Sequence, residues 1–284
     1  MKNIAKIIDP PAVRFVGDGF RVHNFIPGVE ELSMKRMDPF ILLDYGSKFY
    51  FSPSQKQRGV GIHPHRGFET VTIAYKGKVA HKDSAGNSGV IEEGDVQWMT
   101  AASGILHEEF HEKEFSQKGG DFHVAQLWIN LPAKDKKSLP KYQAIKSDQM
   151  GKYQIESGQG IVEVIAGEYK GVKGPASTFT RINLFNLRSN KGTTTDFSFP
   201  KEFNTSLLVV EGSVEVNNKE IKQDHFVLMA NDGETFTIET LEDSIVLIMS
   251  GEPINEPIAA SGPFVMNTKE EIYEAYDDFQ NGRF

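Results

Sequence analysis

Residues 61–110 read GIHPHRGFETVTIAYKGKVAHKDSAGNSGVIEEGDVQWMTAASGILHEEF, and this stretch decides the fold. Apolar and β-branched runs, among them residues 70–75 and 95–100, alternate here with turns that contain glycine. Short strands separated by such turns are typical of antiparallel sandwiches and barrels. Strand patterning returns after residue 160, so the sequence predicts an all-β protein.

Two polar clusters bracket this stretch, HPH at residues 63–65 and HEE at residues 107–109. On a β-strand, residues two apart point to the same face, so both histidines of the first cluster share a face, as do His107 and Glu109. If the two strands are neighbours, three imidazoles and one carboxylate converge. Such nitrogen and oxygen donors suit a borderline divalent ion such as Fe(II), Mn, Ni, Cu or Zn. We therefore expect a metal site built from His63, His65, His107 and Glu109.

We expect three other residues with potential metal-binding side chains, Glu108, His111 and His23, to lie outside the metal site. Glu108 alternates with Glu109 along the strand and should face solvent. His111 has the parity of the metal-site residues and could approach the cavity, but an exposed strand end is the preferred interpretation. His23 stands alone, and we expect it to pack rather than to bind a metal.

Composition bounds the class of protein. The 284 residues fit two domains of about 100–150 residues each. A net charge of −8 and a pI of about 5.6 argue against direct binding of nucleic acid. The absence of cysteine excludes disulfides, thiolate nucleophiles and cysteine-based zinc sites. No secretory signal is expected at the N-terminus and no apolar run approaches the roughly 18 residues of a membrane span, so we expect a cytoplasmic protein without membrane contact.

The predicted domain boundary lies in residues 132–160, which are charged and rich in turn signals. We expect a metal-binding domain over residues 1–132 and a second domain over residues 133–284. Residues 268–280 begin with the Thr-x-x-Glu spacing of a capping box and continue with apolar residues at helical spacing. The second domain should therefore end in an amphipathic helix.

A weak internal repeat relates the two halves of the chain. Residues 207–216 repeat the apolar run, charged residue, glycine and second run of residues 72–80. In the second copy, Phe-Thr-Ile at residues 236–238 stands where His-Glu-Glu would be expected. The sequence thus indicates two similar β units, of which the first carries the metal ligands.

Several separated motifs resemble one known family. HPHRGFETV, GDVQWMTA, GILHEE, QLWINLP and GEPINEPIAASGPFVMNT occur in order over nearly the whole chain and are similar to the motifs of pirins, a family of bicupins. The resemblance implies two jelly-roll-like antiparallel β-barrels with the metal in the N-terminal one. It also implies ligation by three histidines and one glutamate, which correspond here to His63, His65, His107 and Glu109.

One departure from the general cupin pattern concerns the carboxylate. Cupins often take it a few residues after the His-x-His pair, where this chain has Glu69. Arg66 and Gly67 interrupt the strand in between, so the face of Glu69 does not follow from parity. The pirin-like pattern favours Glu109, and Glu69 is then interpreted as a group that orients a ligand imidazole.

The resemblance implies a quercetin 2,3-dioxygenase, which opens the C ring of a flavonol with O2 and releases carbon monoxide. One divalent ion is expected, with Fe(II) as first choice and Mn, Co, Ni, Cu or Zn as alternatives. Glu109 would act both as a ligand and as the acceptor of the flavonol 3-hydroxyl proton. The candidate apolar walls of the substrate cavity are Phe68, Trp98, Met99 and Ile105.

Two other functions stay open at this level. The resemblance to eukaryotic pirins implies an iron-dependent regulatory protein that binds a transcription regulator. The resemblance to some bacterial members implies a protein that binds a metabolic enzyme. An open cavity beside the metal would favour the enzyme over this binding role. A third possibility is isomerase or other cupin chemistry on a polar metabolite, for which Arg58 and Arg66 are the nearest candidate charges.

Overall fold

Strands dominate the computed structural model of the chain, which describes residues 1–156 and 159–284. Ser157 and Gly158, part of the predicted boundary segment, lie outside the described residues. The strands up to residue 147 are β1 (Ile4–Ile8), β2 (Val13–Val16), β3 (Phe20–Ile26), β4 (Phe40–Phe51), β5 (Gly59–His65), β6 (Phe68–Lys76), β7 (Val79–Asp83), β8 (Ser88–Ile91), β9 (Val96–Thr100), β10 (Ile105–His111), β11 (Gly120–Asn130) and β12 (Lys141–Ile145).

The remaining strands and the helices complete the described chain. The strands are β13 (Gly151–Gln154), β14 (Gly160–Ala166), β15 (Glu168–Tyr169), β16 (Val172–Lys173), β17 (Ile182–Ser189), β18 (Thr194–Ser198), β19 (Asn204–Glu211), β20 (Ser213–Val216), β21 (Lys219–Lys222), β22 (Phe226–Met229), β23 (Thr235–Thr240), β24 (Ser244–Gly251), β25 (Ala259–Ser261) and β26 (Phe264–Met266). The helices are α1 (Met34–Met37), α2 (Lys113–Lys118) and α3 (Lys269–Gln280), with 3-10 turns at Glu30–Leu32 and Ala133–Asp135.

The chain divides into two compact units, and each unit takes a segment from the far end of the chain. One unit comprises Pro11–Ser147 with Ile254–Phe284, and the other comprises Met1–Pro10 with Asp148–Pro253. The sequence analysis expected residues 1–132 and 133–284 instead. The difference arises because β1 pairs with β22, and because the Val265 amide donates to the Arg66 carbonyl at 3.1 Å.

The unit that carries the predicted metal residues consists of two antiparallel sheets. One sheet has seven strands in the order β12-β9-β6-β11-β4-β3-β2, and the other has four in the order β5-β10-β7-β8. Buried apolar side chains between them include Phe20, Phe51, Val79 and Phe122. Removal of these surfaces from water is the main force that holds such sheets together. The predicted turn at Gly77 has a φ of 84°, a left-handed conformation that glycine adopts without steric cost.

The other unit repeats this plan. Its seven-stranded sheet has the order β1-β22-β19-β24-β17-β14-β13, and its four-stranded sheet has the order β18-β23-β20-β21. Phe236 of β23 lies opposite Phe197 of β18, and the two rings stack with centroids 5.5 Å apart. In the first unit, the corresponding pair on β10 and β5 is His107 opposite His63. The repeat of seven and four strands agrees with the internal repeat in the sequence.

The C-terminal helix begins with the predicted capping box. The Thr268 hydroxyl accepts from the Glu271 amide at 3.2 Å, and the Glu271 carboxylate accepts from the Thr268 amide at 3.0 Å. Ile272 and Ala275 bury one face of α3, whereas Tyr273 is 70% exposed. The prediction of an all-β fold with a short C-terminal helix is confirmed. Among the described residues, no helix combines the length and apolar character that crossing a bilayer requires.

Candidate metal centre

Three histidines meet where β5 and β10 pair. The antiparallel register places His107 opposite His63 and Ile105 opposite His65. The ring centroid of His63 lies 4.2 Å from that of His107 and 4.8 Å from that of His65, and His65 and His107 are also 4.8 Å apart. One ring nitrogen from each histidine lies within 4.8 Å of those of the other two. The structure therefore brings together the three predicted imidazoles.

The hydrogen bonds of these imidazoles leave nitrogen atoms for a cation. Nδ1 of His63 lies 2.8 Å from the Gly61 carbonyl oxygen, and Nδ1 of His65 lies 3.3 Å from that of Pro263. A ring nitrogen that donates to a carbonyl fixes the tautomer and presents the other nitrogen's lone pair. Both ring nitrogens of His107 are buried without a hydrogen-bond partner among the described residues. Such unpaired polar atoms in a buried position fit a metal ligand, because their burial is otherwise costly.

Burial also keeps two of these imidazoles, those of His65 and His107, neutral. Desolvation, with a smaller contribution from the neighbouring His63, lowers the pKa of His65 to about 3. Desolvation lowers the pKa of His107 well below its usual value, and the adjacent histidines act in the same direction. Metal binding requires the neutral form of histidine. The His65 and His107 donors are therefore ready for a divalent ion at neutral pH.

Glu109 lies beside this group rather than within it. Among the described residues, the group of mutually close ligand atoms contains only the three histidines. The Glu109 carboxylate is 3% exposed and accepts from Gln126 Nε2 at 2.9 Å and from the Thr72 hydroxyl at 3.4 Å. Burial raises its pKa, while the nearby His63 and these two donors oppose the shift. The pairing of β10 with β5 changes register between His107 and Glu109.

A cavity of about 440 Å³ opens beside the histidines. Its volume lies in the usual range of small-molecule sites. Most of the wall is apolar, and the polar side chains include His63, Glu109 and Gln126. The full lining comprises Arg14, Val16, Phe20, Val22, Met34, Leu42, Asp44, Val60, His63, His65, Thr72, Glu109, Val124, Gln126, Trp128 and Gly262. His107, only 1% exposed, lies in the wall of a separate hollow of about 200 Å³.

Glu69, the other candidate carboxylate, faces away from the cavity. Thr72 of the same strand lines the cavity, and a separation of three residues places Glu69 on the opposite face of β6. The Thr100 hydroxyl donates to Glu69 Oε1 at 2.7 Å. The Glu69 side chain is 0% exposed, and this burial raises its pKa to about 7. In the structure, Glu69 thus pairs with a threonine of the neighbouring strand.

The predicted cavity walls lie in the core instead. Phe68, Trp98, Met99 and Ile105 are all buried, and none of them belongs to the lining of the cavity. Trp98 lies opposite Val71 and so shares the face of Glu69. The tryptophan that lines the cavity is Trp128, which stacks on Phe68 with ring centroids 4.2 Å apart. Phe68, Trp98, Met99 and Ile105 therefore belong to the buried core and not to the cavity wall.

The prediction for His111 was wrong. Its side chain is 0% exposed, because alternation along β10 turns it inward between phenylalanine rings, including that of Phe122 at 4.4 Å. Its Nε2 lies 2.7 Å from the Gly19 carbonyl oxygen. His23 packs as expected, with Nε2 3.0 Å from the Ser47 hydroxyl. Glu108, on the opposite face of β10, is partly rather than fully exposed.

Neither candidate arginine lies in the cavity wall. The Arg58 guanidinium sits over the Phe51 ring at 5.6 Å, and Arg66 forms an ion pair with Asp278 at 2.7 Å. The cation in the wall is Arg14, which sequence reasoning missed.

Gln126, which holds Glu109, was also missed. Its signal in the sequence is a polar residue inside the apolar strand VAQLWIN. His81, paired across β7 and β10 with Glu109, is a further buried histidine of this region.

Two units, each built from a seven-stranded and a four-stranded antiparallel sheet, define a bicupin. One of the units carries the three-histidine group where β5 and β10 pair. The chain belongs to the pirin family. The family model for pirin matches residues 19–129, and the model for the pirin C-terminal cupin domain matches residues 184–284.

Individual relatives agree with this assignment. A crystal structure of quercetin 2,3-dioxygenase from Acinetobacter baumannii is 44% identical, covers 100% of this chain and 98% of that chain, and has a TM-score of 0.94. A Pseudomonas aeruginosa protein whose name gives quercetin 2,3-dioxygenase as a provisional function is 41% identical over 100% of this chain and 99% of its own length. A bacterial pirin from Escherichia coli, solved with nickel(II), is 19% identical over 87% of this chain and 99% of that chain, with a TM-score of 0.67, and supports the fold alone.

Proposed function

We propose that this protein is a metal-dependent quercetin 2,3-dioxygenase, which inserts O2 into the C ring of a flavonol and releases carbon monoxide. The observation that carries the proposal is the apolar cavity of about 440 Å³ whose wall includes His63, His65 and Glu109. The similarity to the Acinetobacter baumannii quercetin 2,3-dioxygenase supports the same reaction. A cavity of this kind is the feature that separates an enzyme from a pure binding protein.

His63, His65 and His107 would hold the metal, with Glu109 as the fourth ligand. The absence of cysteine and the imidazole donors favour a first-row ion, with Fe(II) as our first assignment and Mn, Co, Ni, Cu or Zn as alternatives. When bound, such an ion supplies Lewis acidity and orients the substrate oxygen. Glu109 lies outside the group of mutually close ligand atoms but lines the same cavity as His63 and His65.

The protein's own residues would prepare the substrate for oxidation. Glu109 would accept the proton of the flavonol 3-hydroxyl, for which its carboxylate must come within hydrogen-bond reach of the bound substrate. Gln126 and Thr72 donate to this carboxylate and hold it at the cavity wall. The apolar wall around Trp128 would exclude water from the flat rings of the substrate.

Oxygen uptake across a metal series tests this function. Metal-free protein is reloaded with Fe(II), Mn, Co, Ni, Cu or Zn, and O2 consumption and CO release are measured with quercetin. We expect equal amounts of O2 consumed and CO released with at least one ion. His107→Ala should abolish both, whereas His23→Gln, at a histidine outside the group, should not. The dioxygenase proposal fails if no ion supports O2 uptake with any flavonol.

A second candidate function is metal-dependent binding of a regulatory or metabolic protein. The observation that favours it is Ile62, an apolar residue of β5 next to His63 that is 72% exposed. The Ile62 side chain would then contact the partner protein beside the metal ligand His63. Under this function, the metal series gives no O2 uptake, and Fe(II) and Fe(III) forms differ in partner affinity.

A further inference from the structure

A row of polar side chains crosses one wall of the otherwise apolar cavity. Gln126 of β11 lies opposite Thr72 of β6 on one side and opposite Asp44 of β4 on the other. Asp44 in turn lies opposite Asn24 of β3. Cross-strand partners share a face of the sheet, so these four residues form a continuous row on a single face. The row begins next to Glu109 and ends at Arg14 of the edge strand β2.

The contacts at the two ends of the row differ in kind. At one end, Gln126 Nε2 donates to the Glu109 carboxylate at 2.9 Å, which ties the row to the candidate metal centre. At the other end, Nη2 of Arg14 lies 3.2 Å from each carboxylate oxygen of Asp44. Asn24 Nδ2 also donates to Asp44 Oδ1 at 2.8 Å. The far end of the row is therefore the Arg14–Asp44 ion pair, whose carboxylate also accepts a hydrogen bond from Asn24.

This charged pair remains open to the cavity. Asp44 and Arg14 both belong to the cavity lining, and their side chains are 7% and 54% exposed. A guanidinium carries five N–H donors, whereas both of these contacts with Asp44 use the single atom Nη2. The pair can thus offer a carboxylate acceptor and several N–H donors to the same ligand.

Strand spacing sets the distance between the two ends. Neighbouring strands lie about 4.7–4.9 Å apart, so Asp44, two strands from Thr72, is about 10 Å away from it. A bound molecule that reaches both ends must therefore be elongated. The wall between is lined by Leu42, Val124 and Trp128, which suit a flat aromatic body.

We propose that Asp44 and Arg14 form a specificity site for a hydroxyl-bearing aromatic ring, at the end of the substrate remote from the reacting enol. One ring hydroxyl would donate to Asp44, and a neighbouring hydroxyl would accept from Arg14. A ligand with an anionic tail is disfavoured, because two carboxyl groups, Asp44 and Glu109, share this wall with one guanidinium. The inference rests on the proposed function and narrows its substrates to flavonols with hydroxyls on the B ring.

Direct binding of two flavonols tests this site. Quercetin has neighbouring hydroxyls on its B ring, and galangin has none. Dissociation constants are measured by calorimetry with metal-loaded protein under anaerobic conditions. The wild type should bind quercetin about 10- to 100-fold more tightly than galangin, the gain expected of hydrogen bonds to charged groups. Asp44→Asn and Arg14→Gln should each remove most of this preference, with a larger loss of affinity for quercetin than for galangin.

The matched control is Lys48→Gln, which removes a lysine on β4 that pairs with Asp121 at 3.2 Å and does not line the cavity. It should leave the preference for quercetin intact. If Asp44→Asn lowers the melting temperature strongly, the half-exposed Arg14→Gln decides the outcome.

The possible results separate this inference from the proposed function. Equal binding of both flavonols by the wild type overturns the specificity site, as does a preference that neither variant alters. If O2 is still consumed, the dioxygenase proposal stands in that case. A preference that depends on Arg14 and Asp44, without O2 uptake, supports the site and overturns the reaction. Failure to bind either flavonol overturns both.

Discussion

The Pro263 carbonyl oxygen lies 3.3 Å from Nδ1 of His65, although 198 positions separate these residues in the chain. Donation from Nδ1 to this carbonyl leaves Nε2 of His65 as the lone-pair donor. The carbonyl belongs to the C-terminal segment that joins the metal-bearing unit. The segment around Pro263 therefore determines which ring nitrogen of His65 faces His63 and His107.

The contact of Gly67 with this segment gives a first prediction. Gly67 has a φ of 90°, and a Cβ there would overlap the Val265 carbonyl oxygen. Gly67→Ala should displace residues 263–266, release His65 and weaken metal binding about 10- to 100-fold, as loss of such orienting contacts typically does. Competition with a chelator measures this affinity.

The matched control for Gly67→Ala is Gly86→Ala. Gly86 has a φ of 88°, so it carries the same backbone cost, but a Cβ there meets no described heavy atom within 4 Å. Gly86→Ala should lower stability by about 1 kcal/mol and leave metal affinity unchanged. Equal metal affinities in the two variants would show that the contact with Val265 does not position His65.

Lys136 should be essential for the stability of the metal-bearing unit. Its ammonium group, 1% exposed, donates to the Gly67 carbonyl at 2.7 Å, the Asn130 side chain at 2.6 Å and the Val265 carbonyl at 3.0 Å. Lys136→Met keeps most of the volume but removes the donor that these three buried acceptors share. We expect a loss of about 3 kcal/mol or more in the free energy of unfolding, measured in urea.

The neighbouring Lys137 provides the comparison. It is exposed and contacts Glu274 at 3.4 Å, so Lys137→Met should cost less than about 1 kcal/mol. If both lysine variants unfold at the same urea concentration, the hydrogen bonds of the buried Lys136 ammonium group do not contribute significantly to stability.

Gln126 should matter for turnover more than for metal content. Gln126→Met preserves the length of the side chain but removes the donor that holds the Glu109 carboxylate. We expect kcat for flavonol oxidation to fall about 10- to 100-fold while the bound metal, measured by elemental analysis, stays near the wild-type amount. Gln154→Met, at an exposed glutamine outside this unit, is the control. An unchanged kcat would mean that Glu109 needs no such support.

Glu69 should make stability depend on pH. Its folded-state pKa is about 7, above the ordinary value of 4.5, so the folded protein binds more protons between these pH values. Stability is therefore full at low pH and falls as the pH rises through about 7. Glu69→Gln should match the wild type near pH 4.5 and exceed it at pH 8 by up to about 3 kcal/mol. Thermal unfolding at both pH values measures this, with the exposed Glu220→Gln as control, and a variant less stable than the wild type at pH 8 would contradict it.

Alternation along strands was enough to predict the histidine group. His63 and His65 are two residues apart on β5, and His107 and Glu109 are two residues apart on β10, so parity identified the residues that share a face. The same rule failed to distinguish Trp98 from Trp128, because β9 is buried at every position. Where both faces of a strand are covered, alternation carries no signal.

Contacts between distant segments were also out of reach. The ladder between Ile4 and Met229, and the hydrogen bond from His65 to Pro263, join residues that share no local pattern. These contacts of both chain ends account for the difference between the expected domains, residues 1–132 and 133–284, and the two compact units. The prediction that the His111 side chain is exposed failed for a related reason, because the phenylalanines that enclose it come from other strands.

The exchange of terminal segments between the two units has a consequence for synthesis on the ribosome. Residues 11–147 emerge with all three histidines, but Pro263 leaves the exit tunnel only after residues 148–253 have been made. Until then His65 lacks the carbonyl that orients it. We therefore expect nascent chains to acquire their cation only after Pro263 has emerged.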